Sequence, residues 1–178
     1  MPHDVNFQVR DIESDNEWQQ ACALLQEVYV GDGYTTLANA SEFIKRERFE
    51  SQSQAIIAMN RDGQVVGVVL LLNRVSSLRQ IANGDEREFR MLGVANSARG
   101  EGVGQALVQA CIDRVHATDA VSLVLWTQPT MLAAHRLYER LGFVRDPSRD
   151  EWDDRGFTRL VYVRGCVSDH ASDSRLAR

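Results

Sequence analysis

The chain has 178 residues, 44% of them hydrophobic, and carries 20 basic against 25 acidic residues for a net charge of −5. This length predicts one domain with a sizeable core, and the acidic balance argues against a nucleic-acid partner. The N-terminus MPHDVNFQVR lacks the apolar stretch of a signal peptide and no apolar run reaches membrane-span length, so we expect a cytoplasmic protein with no membrane partner.

The first half of the chain predicts a strand, two helices and a hairpin. Val5–Ile12 alternates apolar and polar residues, as a half-buried strand does. Ser14–Val30 opens with a capping serine and an acidic turn before apolar residues at helical spacing, and a second helix is predicted within Leu37–Glu50. The runs Gln54–Met59 and Gln64–Leu72 flank the turn sequence NRDG, which predicts a β-hairpin.

The second half predicts strands and helices in alternation. Glu86–Val94 alternates as a strand, and we expect its odd and even positions to lie on opposite faces: Phe89, Met91 and Gly93 on one, Glu88, Arg90, Leu92 and Val94 on the other. The continuous apolar run Ala120–Thr127 predicts a strand buried on both faces. Pro129–Gly142 predicts a helix that ends at a left-handed glycine, and Gly156–Val163 predicts a closing strand.

Together these elements predict an α/β mixed sheet with helices on its faces. The strand, loop, helix and strand from Glu86 to Thr127 form a parallel crossover at its centre. We expect a single domain over 1–165 and a polar, flexible tail over 166–178.

Cysteine and histidine give no metal or redox signature. Cys22, Cys111 and Cys166 are an odd number without CxxC spacing, and the four histidines are dispersed with no HExxH. We therefore expect no metal site.

A glycine-rich turn precedes the helix that follows Val94. Arg99 is followed by Gly100, Gly102 and Gly104 at the start of an amphipathic segment. A helix N-terminus has unpaired N–H groups that favour an anion, and glycine allows a phosphate to approach the backbone closely. The Lys-Ser or Lys-Thr of a P-loop and the last glycine of GxGxxG are both missing, so a diphosphate on another carrier is predicted.

The pattern V-x-x-x-x-RGxGVG resembles motif A of the GNAT superfamily of acyl-CoA-dependent N-acetyltransferases, and Ala133–Val144, AAHRLYERLGFV, is similar to its motif B. Both stand in the expected order over a chain whose predicted strands agree with that fold. The resemblance implies a mostly antiparallel mixed sheet of six to seven strands with a central parallel pair, flanked by four helices. It also allows a homodimer.

The resemblance implies that acetyl-CoA is the cosubstrate. Its diphosphate would lie on the backbone of a continuous segment: Arg99, Gly100, Glu101, Gly102, Val103, Gly104 and Gln105. Its pantetheine arm would pair with the strand near Leu92 and Val94. Many relatives carry an asparagine where this chain has Met131, so Thr127 or Gln128 would supply that side-chain contact instead.

The resemblance also implies catalytic roles for two side chains. Tyr138 matches the motif B tyrosine that faces the thioester sulfur and is the candidate acid for the departing thiolate. Glu88 matches a fourth-strand position that can carry a catalytic glutamate, and it is the candidate base for the attacking amine. Glu86, one pleat away on the same face, is the alternative base.

Substrate recognition in this fold is expected from the first helices and from the segment Asn73–Asp85. In the first of these regions, Tyr29 and Tyr34 offer aromatic walls and Asp32 a carboxylate for a cationic amine, either a small molecule or a peptide N-terminus. Two other functions stay open at this point: an acyl-CoA sensor without turnover, and a regulator that binds ATP or NAD at the glycine turn.

Overall fold

The computed structural model describes residues 6–166, so the tail predicted at 166–178 lies, apart from Cys166, outside the described residues. Within this range the chain forms eight strands, five α-helices and two short 3-10 helices, Asn96–Ala98 and Pro147–Arg149. The strands are β1 (Phe7–Asp11), β2 (Ser53–Asn60), β3 (Val65–Leu72), β4 (Arg87–Val94), β5 (Ser122–Thr127), β6 (Val144–Arg145), β7 (Glu151–Asp153) and β8 (Phe157–Gly165). The helices are α1 (Asp15–Gly31), α2 (Leu37–Phe43), α3 (Arg46–Phe49), α4 (Val103–His116) and α5 (Leu132–Arg140).

The strands form one mixed sheet in the order β1-β2-β3-β4-β5-β8-β6, with β7 also paired to β8. β4 and β5 are parallel and the other pairs are antiparallel. The predicted fold class, with its central parallel pair, is therefore confirmed. The structure adds the short strand β7 to the predicted set.

The second helix predicted within Leu37–Glu50 is confirmed over Leu37–Phe43, but it does not continue through the segment. The chain forms α2 and α3 instead, because Ile44 leaves the helical region at φ −90° and ψ 86° and Lys45 is extended. The Ile44 side chain is buried in the core that lies under α1. Tertiary packing of Ile44 thus interrupts a segment whose local pattern is helical throughout.

Strand β4 contains a bulge that reverses the alternation of its side chains. Met91 has φ 59°, and the pairing of β3 with β4 shifts register between Val68 and Leu70. Phe89 and Leu92 consequently pack on the α4 face, while Met91 packs on the α1 face. The expectation that Phe89 and Met91 share a face is wrong. The bulge adds one residue to β4, and the side chains that follow it therefore lie on the opposite face of the sheet from the one that simple alternation predicts.

Local capping agrees with the sequence. Ser14 Oγ accepts a hydrogen bond from the backbone N–H of Glu17 and so caps α1. Gly142 follows α5 with φ 82°, which confirms the left-handed cap. Among residues 6–166, no helix is both long and apolar enough to cross a membrane.

Candidate active site

A cleft opens where β4 and β5 separate. The two strands pair only at Arg87 with Leu123 and at Glu88 with Val124, although β4 continues to Val94. Beyond that pairing lies a cavity of about 930 Å³ that reaches both faces of the sheet. Its walls come from α1, α2, the glycine turn, α5 and the β7–β8 hairpin as well as from the two strands.

The glycine turn forms one end of this cleft. Gly100 and Gly102 have φ 81° and 84°, and a Cβ added at either would meet no protein atom within 4 Å. Gly102 precedes α4 without a side-chain cap, and the first helical bond runs from the N–H of Ala106 to the carbonyl of Gly102. Because the preceding N–H groups of the first turn have no acceptor among residues 6–166, they can hold an anion, and this end fits a diphosphate.

Most residues predicted to contact the cosubstrate line the cleft together. They are Leu92, Val94, Arg99, Gly100, Gly102, Val103, Gly104 and Gln105. Glu101 does not line it and is exposed. Thr127, Gln128 and Met131 line the same cleft.

The predicted acceptor residues lie beside the glycine turn. The Asp32 carboxylate is occupied, because Arg99 Nη2 donates to its Oδ2 at 2.6 Å. Tyr29 donates from its hydroxyl to the Leu92 carbonyl at 3.4 Å and contacts the Tyr34 ring edge-on; burial raises the pKa of Tyr29 to about 12. The Tyr34 carbonyl accepts from Gln128 Nε2 at 3.2 Å, which ties this loop to the end of β5.

Tyr138 lies where α5 faces the gap between the strands. Its ring packs against Phe89, Phe143 and Tyr162 with centroids about 6 Å apart, and only 5% of the residue is exposed. Its hydroxyl makes no hydrogen bond with any residue in 6–166, and the residue lines the cleft. Burial raises the pKa of Tyr138 far above its ordinary value, so the phenol stays protonated.

Glu88 is buried, with 1% exposed, and is absent from the cleft lining. Its Oε2 accepts from the backbone N–H groups of Gln80, Ile81 and Ala82 at 3.0 to 3.1 Å, whereas its Oε1 has no partner within the described residues. This carboxylate organises the turn at 80–82. Its role as a base stays a prediction.

Glu86, the alternative base, is engaged as well. Its carboxylate accepts from Arg149 Nη2 at 2.8 Å and from the Ser122 hydroxyl at 3.0 Å. These bonds, against the opposing effect of burial, lower the pKa of Glu86. Like Glu88, it is absent from the cleft lining.

Sequence reasoning missed three arginines at the other end of the cleft. Arg90, Arg155 and Arg159 line the cavity around Trp126, and we call them the arginine wall. Arg90 belongs to the same strand as Glu88, but Arg155 and Arg159 reach the cleft through the β7–β8 hairpin, whose β7 was not predicted. The only local sequence signal of this hairpin is DDRGFTR, in which two arginines lie on either side of a glycine.

Within the described residues there is no group of three or more His, Cys, Asp or Glu side chains that could hold a metal ion. Backbone N–H groups, phenols and guanidinium groups converge on the cleft, together with the carboxylates of Asp32, Glu42, Asp153 and Asp154. They suit an anionic carrier at one end and polar recognition at the other.

The model of the acetyltransferase (GNAT) family matches residues 18–143. The chain belongs to the GNAT acetyltransferase family. It is 33% identical over 102 residues to an N-acetylaspartate synthetase of Danio rerio, covering 57% of this chain and 34% of the relative. It is 28% identical over 113 residues to a mycothiol acetyltransferase of Renibacterium salmoninarum, covering 64% and 32%. The chain thus spans about a third of the length of these curated relatives.

Solved GNAT structures share the fold. A GCN5-related N-acetyltransferase from Kribbella flavida has a TM-score of 0.68 at 25% identity, covering 90% of this chain and 98% of that one. The ribosomal-protein-S18-alanine N-acetyltransferase from Escherichia coli has a TM-score of 0.65 at 17% identity, covering 97% and 99%. These similarities show that the chain has the GNAT fold.

Proposed function

We propose that the protein is an N-acetyltransferase that moves the acetyl group of acetyl-CoA to a primary amine by direct attack. The single observation that carries the proposal is the convergence of a bare helix N-terminus and an unpaired phenol on one cleft between splayed parallel strands. The cosubstrate's diphosphate would lie on the N–H groups of Val103 to Gln105, with Arg99 beside it. Its pantetheine arm would run along β4 past Leu92 and Val94.

The chemistry forms a C–N bond and breaks a C–S bond. The amine nitrogen attacks the thioester carbonyl after losing a proton, and a backbone N–H near Val94 would polarise the carbonyl oxygen. The leaving sulfur would take the proton of the Tyr138 hydroxyl, and the phenolate would regain a proton from solvent, replacing the one that the amine released. A free amine with an ordinary pKa of about 10.4 must first be deprotonated. The resemblance makes Glu88 the candidate for this step, whereas its contacts with three backbone N–H groups support a positioning role.

The relatives support acetyl transfer but do not select one acceptor. One is called an N-acetylaspartate synthetase and another a mycothiol acetyltransferase, and these names describe different products. The proposal of an amine acceptor is supported by the family match and by the residues that line the cleft. The homodimer and the cytoplasmic location stay predictions from the sequence.

Thiol release from acetyl-CoA tests the proposal. The purified chain is incubated with acetyl-CoA and, separately, with polyamines, aminoglycosides, amino acids and short peptides, after a thermal-shift measurement with CoA, ATP and NAD. We expect CoA alone to stabilise the fold and one amine class to release thiol. CoA stabilisation with no release on any class would contradict the enzyme and favour the sensor, and stabilisation by ATP or NAD instead would contradict the CoA site.

A further inference from the structure

Three guanidinium groups surround one indole ring in the cleft. The Cζ atoms of Arg90, Arg155 and Arg159 lie 5.7, 5.7 and 5.2 Å from the centroid of the Trp126 ring. Because each guanidinium lies within 6 Å of the same ring centroid, three positive charges share one region of the cleft, which favours a bound anion. The arginine wall therefore has the composition of an anion-binding surface.

The protein's own carboxylates balance this charge only in part. Asp153 Oδ2 accepts from Arg155 Nη2 at 2.7 Å and from Arg159 Nε at 2.8 Å, so a single carboxylate serves two guanidinium groups. Glu151 is 3.9 Å from Arg159 and largely exposed. Arg90 has no carboxylate within ion-pair distance among residues 6–166, and its Nη1 donates to the Leu78 carbonyl at 3.0 Å. N–H groups of all three arginines remain available to a ligand.

The wall is held in place rather than left loose in solvent. Asp153 is buried, with 3% exposed, and fixes the hairpin arginines. Trp126 Nε1 donates to Gln80 Oε1 at 2.7 Å, and the backbone N–H of Gln80 donates in turn to the Glu88 carboxylate. An ordered guanidinium loses less entropy on binding an anion than a mobile one does. This arrangement therefore favours the binding of an anionic ligand.

The wall also lies on the side from which an acceptor would approach. Trp126 packs with Ile81, Val124 and Val161 on one face of the sheet, whereas Tyr138 packs on the opposite face with the residues under α4. The cleft runs through the gap between these faces. A molecule at the wall therefore meets the gap from the face opposite Tyr138.

We propose that the acceptor is a small amine that also carries carboxylates, with the class of acidic amino acids as the best match, and that its carboxylates bind the arginine wall. Guanidinium groups hold carboxylates through paired hydrogen bonds. Two ligand carboxylates, together with Asp153 on Arg155 and Arg159, would balance the three guanidinium groups. This inference rests on the proposed acetyl transfer, and it replaces the expectation that a cationic amine binds at Asp32, whose carboxylate Arg99 occupies.

Matched acceptors test the charge requirement. Thiol release is measured with aspartate against asparagine, with glutamate against glutamine, and with spermidine. We expect kcat/KM for the better acid to exceed that for its amide by about 100-fold, or about 2.8 kcal/mol, because the amide loses the charged hydrogen bonds to the guanidinium groups. Equal rates for acid and amide, or a preference for spermidine, would overturn the inference while leaving acetyl transfer intact.

Arg90 variants connect the preference to the wall. Arg90→Gln is expected to lower kcat/KM for the acid by about 100-fold with acetyl-CoA KM unchanged, and Arg90→Lys to recover part of the loss through its charge. Arg114→Gln is the control because it removes the same charge from a residue outside the cleft lining that pairs with Asp11. An Arg90→Gln enzyme as active and selective as the Arg114→Gln enzyme would overturn the assignment.

Succinate provides a readout that does not require turnover, because it has two carboxylates and no amine. Its binding to the CoA-loaded protein is measured by calorimetry for the wild type, Arg90→Gln and Arg114→Gln. Binding that only Arg90→Gln loses supports the wall even if no amine is acetylated, so the two proposals can fail separately. No succinate binding to the wild type would overturn the inference.

Discussion

Asp32 and Arg99 form an ion pair across the mouth of the cleft, with Arg99 Nη2 2.6 Å from Asp32 Oδ2. Arg99 belongs to the glycine turn, whereas Asp32 follows α1. The pair therefore couples the loop predicted to hold the acceptor to the segment predicted to hold the diphosphate, and we propose that Asp32 acts at the cosubstrate end.

Substitution Asp32→Asn should consequently alter acetyl-CoA binding rather than acceptor binding. Removing a carboxylate next to the diphosphate site reduces repulsion and frees Arg99, so we expect KM for acetyl-CoA to fall by about two- to fivefold at low salt. Steady-state kinetics with each substrate varied in turn measures this. A change confined to the acceptor KM would return Asp32 to the acceptor site.

Substitution Gly104→Glu should abolish CoA binding. A Cβ at Gly104 has ordinary contacts, 3.4 Å to Leu137 Cδ2 and 3.6 Å to Val94 Cγ2, so the helix accepts a side chain and the variant should fold. The carboxylate would repel the diphosphate, and we expect the Kd of CoA to rise by at least about 100-fold. Gly104→Gln, whose side chain has the same size as glutamate but no charge, should have a much smaller effect. Calorimetry measures both; equal losses for Glu and Gln would mean that bulk and not charge is responsible.

Substitution Tyr138→Phe should lower kcat by about 10- to 100-fold while leaving the acetyl-CoA KM within about twofold, because it removes only the proton donor. Tyr162→Phe is the matched control: its hydroxyl donates to Glu139 Oε1 at 3.3 Å, and the residue does not line the cleft. If both variants keep the wild-type rate, Tyr138 contributes packing alone.

Substitution Glu88→Gln distinguishes two roles of Glu88: a catalytic base, or a residue that positions the turn at 80–82. The three backbone N–H groups on Oε2 lead us to expect a rise of about tenfold in the acceptor KM, as the turn at Gln80 loosens, with a kcat loss below about threefold. The fall in kcat at low pH should persist in Glu88→Gln, as it should in Glu86→Gln. Loss of that fall in Glu88→Gln alone would identify Glu88 as the base.

Acid should weaken the junction between β1 and α1. The hydrogen bond from Arg10 is the main cause that lowers the pKa of Glu17 from 4.5 to about 2, so this carboxylate stabilises the fold at pH 7 and loses that contribution as the pH falls from about 4.5 through about 2. In urea unfolding, Glu17→Gln should cost roughly 1 kcal/mol at pH 7 and progressively less as the pH falls through about 2. The exposed Glu13→Gln is the control, and a cost independent of pH would contradict the assignment.

Local patterns were sufficient for the framework of this fold. The hairpin of β2 and β3, the buried β5, the cap at Gly142 and the helix after the glycine turn all depend on residues close in sequence, so periodicity and turn chemistry predict them. The interruption at Ile44 depends on tertiary burial. The bulge at Met91 could not be predicted, because the alternating pattern of the sequence continues through it without interruption.

The two ends of the cleft differ in the same way. The cosubstrate end is one continuous segment, Arg99–Gln105, and its glycines are visible in the sequence. The arginine wall is assembled from β4 and from a hairpin more than sixty residues later in the chain, so no local spacing connects Arg90 with Arg159. Likewise, the carboxylate of Glu88 is visible in the sequence, but the turn that occupies it is not.

The most direct measurement of the central claim follows the acetyl group itself. The protein is incubated with acetyl-CoA labelled in the acetyl carbon and a pool of amines, and the products are identified by mass spectrometry. We predict that the label appears on the nitrogen of an amine in the same amount as CoA is released, and that Gly104→Glu abolishes it. Label found only as free acetate, or retained in acetyl-CoA, would contradict the account.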